Sequence, residues 1–362
     1  MVWMTGQQVG SRYTLIRSLG HGGMGEVWEA QDDVLGRHVA VKHALPKLAA
    51  ASPDITQLLR QETQAASHLF NHPRIVSVLD YFEDRGVPAI VFEYLPGVDG
   101  RTFARRYLAR RSDYLTRTSM ALHVVLCTAK ALMFAHEKGV VHRDIKPENV
   151  LISQRGEVKL GDFGLAKFAQ EATRHVTGKW GGTLLYAAPE QVQGSAASIN
   201  SDIYQLGCLL YEMLEGNAPF EDEPNDAAIV YAKVHKPEPM PQTMNGLTTS
   251  EQKDVLELYQ ALIATVPSAR WPAWQVVECL SRILHRPAWR MEFTKLVNAT
   301  TIKQIKDITN FGPALPGQTL DFEDPDEALS ESLALTLAGV GNGFMLRRPG
   351  ALMQRLLSAA RK

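Results

Sequence analysis

Apolar and polar positions alternate in short runs over residues 13–19 and 27–30, which predicts two strands. Between them lies Gly20-His21-Gly22-Gly23-Met24-Gly25, so the glycines would close a hairpin. A third run, Val39-Ala40-Val41-Lys42, reads as a short apolar strand carrying one lysine, and residues 58–66 read as a helix whose inner face would turn toward it. Residues 11–92 thus predict a small sheet with one helix. The pattern changes after Glu93. Over 115–138, positions Leu122, Val125, Leu126, Ala129, Leu132, Met133 and His136 recur at helical spacing, which predicts a buried helix. Further helices are expected over 202–214, 251–265 and 272–284, with no internal repeat and no low-complexity linker.

Composition changes this picture little. With 362 residues, 45% hydrophobic and 21% charged, the chain can bury a two-lobed core and carry an appendage. A net charge of −1 supplies no drive toward polyanions, so nucleic acid is not expected as a partner. Cys127, Cys208 and Cys279 show no CxxC spacing, which argues against zinc and disulfides and suits a reducing interior. Residues 1–6 lack a basic segment followed by an apolar core, so no signal peptide is expected. No apolar run is read as approaching the roughly 20 residues of a membrane span; the nearest, 333–346, is broken by Gly339, Gly341, Asn342 and Gly343. The expectation is a soluble cytoplasmic protein without a transmembrane segment.

The candidate chemistry lies in His142-Arg143-Asp144-Ile145-Lys146-Pro147-Glu148-Asn149 and, downstream, Asp162-Phe163-Gly164. Asp144 can accept the proton of an attacking alcohol, Lys146 can neutralise a transferring phosphate, and Asn149 and Asp162 offer oxygens to Mg²⁺. This set suits moving a phosphoryl group from ATP to a hydroxyl. The glycine loop fits as a cover for phosphates, because it joins two strands; in a dinucleotide-binding fold its third glycine would open a helix. Lys42 on a buried strand needs an anion, which Glu62 can supply from within the protein and ATP phosphates from outside.

In these motifs the chain resembles the eukaryotic-like (Hanks-type) Ser/Thr protein kinases, in particular bacterial members with a Gly-Gly-Met-Gly loop, over about residues 11–285. The resemblance implies an α+β, bilobal fold: a small β-rich N-lobe (11–92), a hinge (93–97) and a larger, mostly helical C-lobe (98–285). A flank (1–10) would precede it and an extension (286–362), expected to be helical, would follow. It further implies that Gly20, His21, Gly22, Gly23, Met24 and Gly25 close over the ATP phosphates. Leu19, Val27 and Ala40 would cover the adenine from above and Leu151 from below. Past the gatekeeper Phe92, hinge backbone near Glu93 and Leu95 would bind the adenine edge. Lys42, held by Glu62, would position the α and β phosphates; Asn149 and Asp162 would hold Mg²⁺, with Mn²⁺ as the alternative. Asp144 would take the hydroxyl proton and Lys146 would steady the transferring group, the lysine there marking Ser/Thr specificity toward protein substrates. Gly182-Thr183 and Ala188-Pro189-Glu190 would close an activation segment, with Arg270 paired to Glu190 and Asp202 near the start of the central helix of the large lobe.

Other residues carry weaker expectations. His142 is read as packing that buttresses Asp162 and Phe163. Arg143 needs a negative partner, which a phosphate on Thr173 or Thr177 could provide. Arg101, Arg105, Arg106, Arg110 and Arg111 would spread around a helix at 100° per residue, so a solvated surface is favoured over an acidic-substrate dock. For residues 286–362 the expectation is a helical extension packed on the large lobe with solvated charges, the alternative being a docking tail for a regulatory partner. A nucleotide-binding pseudokinase scaffold acting through that extension is the alternative function; the intact Lys42, Asp144, Asn149 and Asp162 oppose it.

Overall fold

A computed structural model describes residues 3–22, 25–44, 60, 63–64, 66–163, 181–284, 289–293, 319–322, 325–337 and 344–347. The alternating runs at the start of the chain form one antiparallel sheet of β1 (Gln8–Val9), β2 (Tyr13–Gly22), β3 (Gly25–Asp32), β4 (Arg37–Ala44), β5 (Val78–Asp84) and β6 (Val87–Glu93). Their spatial order is β1-β2-β3-β4-β6-β5. Tyr13, Leu15, Trp28, Ala30, Val39 and Val41 bury one face of it. Residues 3–9, expected as a flank, belong to this lobe: β1 extends the sheet, and Trp3 is buried with its ring 3.9 Å from that of His43. A buried indole removes more apolar surface from water than almost any other side chain, which explains why the segment docks.

At the end of β3, the fully buried Asp32 accepts hydrogen bonds from Arg12 Nε and Nη2, both at 2.8 Å, and from the Val34 and Leu35 amides, both at 3.2 Å. The Arg12 hydrogen bond, aided by those amides, outweighs burial and holds the carboxyl at about 2, below its ordinary 3.8. A depressed carboxylate stabilises the fold fully above the ordinary value, and that contribution is lost as pH falls from about 4 toward 2. Asp32→Asn is therefore expected to flatten the acid limb of a thermal-melting profile measured from pH 6 to pH 2.

The C-lobe is built around α1 (Tyr114–Glu137), followed by α2 (Ile199–Glu215), α3 (Asp226–His235), α4 (Thr249–Leu262) and α5 (Ala273–Leu284). The spacing over 115–138 found the helix but not its burial on every side. Met120, Ala121, Val124 and Ala131, outside the predicted set, are also fully buried, because α2, α5 and a small sheet pack on different faces. That sheet comprises β7 (Gly97–Asp99), β8 (Val150–Ser153) and β9 (Val158–Leu160), in the order β7-β8-β9. The expectation that no stretch is long and apolar enough to span a membrane is corrected by α1. Its 18-residue window has a mean hydropathy of 1.5, and 83% of that window is buried inside the protein. A helix apolar on all sides belongs either in lipid or in a core, and the packing places this one in a core.

Helix ends follow local capping. Thr248 and Glu251 form a reciprocal capping box that starts α4, and α2 ends at Gly216 in the left-handed conformation (φ 90°). The unpredicted α3 starts at Asn225, whose side chain accepts from the Ala228 amide at 3.0 Å. Asn-Asp before an apolar run was a readable signal for it.

Beyond residue 285 the described residues form three short strands and a helix. Strands β10 (Trp289–Phe293), β11 (Thr319–Phe322) and β12 (Phe344–Arg347) pair in the order β11-β10-β12, and α6 (Pro325–Leu337) lies against α1. Leu329, Leu333 and Leu335 of α6 join the C-lobe core. Asp326, expected as a solvated charge, accepts from Lys130 Nζ of α1 at 2.9 Å.

Candidate active site

The first turns of α2 hold the loop that carries the candidate chemistry. Asp202, fully buried, accepts from the amides of His142 (2.8 Å, Oδ2) and Arg143 (2.7 Å, Oδ1), and its Oδ2 lies 2.9 Å from His136 Nε2. One turn on, Gln205 Oε1 accepts from the Ile145 amide at 2.8 Å while its Nε2 donates to Arg143 O at 3.1 Å. These bonds sustain Arg143 at φ 74°, a conformation costly for a residue with a Cβ. His142 Nε2 lies 2.8 Å from Gly161 O, and its ring meets Phe163 edge-on with centroids 4.5 Å apart. The Asp144 amide donates to His142 Nδ1 at 3.3 Å, so the imidazole proton sits on Nε2. His142 thus ties Asp144 to Phe163 by packing and backbone hydrogen bonds.

Asp144 is nearly buried. Its Oδ2 accepts from Lys146 Nζ at 2.7 Å and from Asn149 Nδ2 at 3.0 Å, whereas Oδ1 is buried with no hydrogen-bond partner. A buried carboxylate oxygen without a donor is costly, and such atoms call for a functional explanation. Across the cleft, Asp162 sits at φ 59° and its Oδ2 accepts from Lys42 Nζ at 2.7 Å. Burial pushes the Asp162 carboxyl up, but the charge and hydrogen bond of Lys42, with Lys146 and His142, hold it below its ordinary value. Lys42 therefore finds its anion in Asp162. Glu62, the expected partner, lies outside the described residues, as do Gly23, Met24, Thr173 and Thr177.

Between the lobes is a cavity of about 470 Å³, within the range of small-molecule sites. Its wall brings together Leu19, Gly20, Val27, Ala40, Lys42, Glu93, Leu95, Asn149, Leu151 and Asp162 from the predicted set. His21, Gly22 and Gly25 lie in the hairpin of β2 and β3 without lining it. Tyr94, within the expected hinge, also lines it, whereas sequence reading missed Arg17, Val76, Val98, Asp99 and Thr102 on that wall. No residue-type signal marks such positions, which enter through strand register and hinge path. The Glu93 side chain is already occupied, accepting from Lys159 Nζ at 2.7 Å and from the Ser77 amide at 2.8 Å. At Glu93 the backbone is thereby left to meet a ligand. At the mouth, Arg17 Nη2 reaches Tyr94 Oη at 2.9 Å and Glu29 Oε2 at 2.7 Å.

The arginine cluster departs from its expected solvated helix. Its segment runs as three short pieces, Gly100–Thr102 (α), Phe103–Tyr107 (π) and Leu108–Arg110 (3₁₀), so a spacing of 100° per residue does not apply. Arg101 lies 3.0 Å from Glu148 and 3.5 Å from the buried Glu212, and hydrogen-bonds Tyr186. Arg105 reaches both carboxylate oxygens of Glu221 at 2.7 Å. Arg111 is buried, its Nη1 donating to Thr336 Oγ1 of α6 at 3.3 Å, and burial lowers the guanidinium to about 10.

Below the cleft, Ala188-Pro189-Glu190 is anchored by Arg270. Its guanidinium pairs with both Glu190 oxygens at 2.7 and 2.8 Å and donates through Nε to Ala264 O at 2.8 Å. The family model described as protein kinase domain matches residues 13–280. The chain belongs to the protein kinase family. The bilobal fold expected from sequence is the fold observed. Among relatives, this kinase is 36% identical over 287 residues to the probable serine/threonine-protein kinase pknA2 of Bifidobacterium longum, an overlap covering 78% of this chain and 37% of that one. To the serine/threonine-protein kinase PknA of Mycobacterium tuberculosis it is 38% identical over 268 residues, covering 74% and 59%. The chain thus spans between 37% and 59% of the length of these two relatives. The crystal structure of the Mycobacterium tuberculosis PknI kinase domain superposes with a TM-score of 0.59 at 25% identity, covering 78% of this chain and 99% of that one.

Membership in the family implies use of ATP and a divalent cation, and the residues present fit both. Asn149 spends its amide nitrogen on Asp144 O (2.6 Å) and Oδ2 (3.0 Å), leaving its oxygen as the end able to meet a cation. The ionised Asp162 lines the same cavity. Among the described residues there is no cluster of three or more His, Cys, Asp or Glu. Two hard oxygen donors and nucleotide phosphates together suit a hard divalent cation.

Proposed function

We propose that this kinase transfers the γ-phosphoryl group of ATP to serine and threonine hydroxyls of proteins. The observation that carries the reading is Asp144 Oδ1: a buried, unpartnered carboxylate oxygen beside a lysine, on a side chain bonded to Asn149, which lines the cavity between the lobes. Adenine would lie between Leu19, Val27 and Ala40 above and Leu151 below, its edge meeting hinge backbone at Glu93 and Leu95. Lys42 would hold the α and β phosphates. Mg²⁺, or Mn²⁺ in its place, would be bound by Asn149 and Asp162 and would spread the charge of the phosphate oxygens. Asp144 Oδ1 would accept the hydroxyl proton as the oxygen–phosphorus bond forms and the bond to ADP breaks. Lys146, held on Asp144 Oδ2, would stay beside the transferring group and lower the cost of its charge.

Further proposals follow from the same reading. Phosphate on Thr173 or Thr177 would pair with Arg143 and switch the enzyme on. Residues 286–362 would offer a docking region to a regulatory partner. A cytoplasmic site of action fits the need for ATP and the three free, buried thiols.

Mass spectrometry after incubation with ATP, Mg²⁺ and a basic protein tests this reading. The expected result is new phosphate on serine and threonine of the added protein and on the segment from 164 to 180. Nucleotide binding without any phosphate transfer would favour the scaffold alternative.

A further inference from the structure

Helix α6 packs against the turn that joins β8 to β9. The turn joining β8 to β9 passes through Gly156 at φ +78°, where a Cβ would stand 1.9 Å from Ser330 O and 2.7 Å from Ser330 C of α6. Only glycine lets the α6 backbone come this close. The turn itself is stiff: the Gly156 amide donates to Ser153 O at 2.9 Å and the Ser153 amide to Glu157 O at 2.8 Å. Ser153 Oγ accepts from the Arg155 amide at 3.2 Å and the Glu157 amide at 3.1 Å.

From this turn the contacts lead into the hinge. The Gln154 amide donates to Pro96 O at 2.7 Å, and Gly97 of β7 pairs opposite Ser153. Gly97 is also a close approach, since a Cβ there would lie 2.0 Å from Ile152 O. Gly97, Val98, Asp99 and Leu151, all on these paired strands, line the cavity. On its other sides α6 is anchored by the Lys130–Asp326 pair, by the buried Leu329 and Leu333, and by Thr336 accepting from Arg111.

We infer that α6 is a positioning element of the cleft. Through the Gly156 turn it sets where β7 and β8 stand, and so sets nucleotide affinity. Among the described residues of α6 none lines the cavity, so its action is indirect. The inference rests on reading the cleft as the ATP site, but its structural half, control of hinge mobility by α6, does not.

The test compares Gly156→Ala with Gly86→Ala in the full chain. Gly86 has the same φ of +78° and nothing within 4 Å of a Cβ, so it carries the backbone strain without the contact to α6. Two quantities are read: Kd for a non-hydrolysable fluorescent ATP analogue, and amide hydrogen exchange over residues 94–99. Gly156→Ala is expected to raise Kd by at least about 3-fold, within the range of coupling through packed elements, and to speed hinge exchange. The KM for ATP should rise while kcat at saturating ATP holds. Gly86→Ala should leave all of these at wild-type values. Asp326→Asn, which loosens the Lys130 anchor, should shift Kd and exchange the same way by less, and it carries the test if Gly156→Ala does not fold. Unchanged hinge exchange and Kd in the folded variant would overturn the inference, as would equal changes in Gly86→Ala. If the wild type binds no nucleotide while hinge exchange still follows α6, the ATP reading fails and the structural coupling stands.

Discussion

Asp144→Asn is expected to lower kcat about 10²- to 10⁴-fold with little change in nucleotide affinity. Asparagine has the same shape, and its amide oxygen can keep the bonds that Oδ2 makes with Lys146 and Asn149. The NH₂ group then falls where Oδ1 is, so a donor replaces a buried acceptor that has no partner. The site would keep its fold and its lysine and lose the ability to take a proton. Steady-state kinetics on a basic protein substrate, paired with titration of an ATP analogue, separates the two effects. Activity within a few-fold of wild type would remove Asp144 from the reaction. A parallel loss of nucleotide binding would show that the substitution had disturbed the cleft instead.

Asp202→Ala should destabilise the protein by roughly 3–5 kcal/mol, because two buried amides, of His142 and Arg143, lose their acceptor at about 1–3 kcal/mol each and His136 loses its carboxylate. Of the two α2 side chains that hold the loop, Gln205 alone would then remain, and Arg143 would lose the bond that helps keep it at φ 74°. Asp144 would be displaced by the relaxation of its own neighbour, so kcat should fall even where the variant remains folded. Urea denaturation measures the first effect, and kcat well below the denaturation midpoint measures the second. Full activity in a destabilised but folded variant would mean that Asp202 supports the lobe without positioning the loop.

Much of the site was legible because its residue types are crowded into short, ordered stretches. Asp144, Lys146 and Asn149 lie within six residues of one another, and the glycine loop is bounded by two runs of clear alternation. The structure places Asn149 and Asp162 on the same cavity as Lys42, Val27 and Leu151. His142 was readable as packing and packs against Phe163. Illegible parts share a different property. The helix-wheel argument for the arginines failed because Gly100 to Arg110 is not one regular helix, and because Arg111 meets Thr336, 225 positions away. The spacing in α1 revealed one apolar stripe. Its remaining faces are covered by elements from elsewhere in the chain, α6 among them.

The sequence by itself determined the chemical set, the two-lobe division, most helices and the strands β2, β3 and β4, since each depends on spacing within a few turns or strand lengths. Only the tertiary structure decided that Lys42 pairs with Asp162 across 120 positions, that one oxygen of Asp144 is left without a donor, and that Gly156 receives the backbone of α6. Those outcomes rest on which distant surfaces exclude water together. Periodicity along a chain records that a face will be buried, but not what buries it.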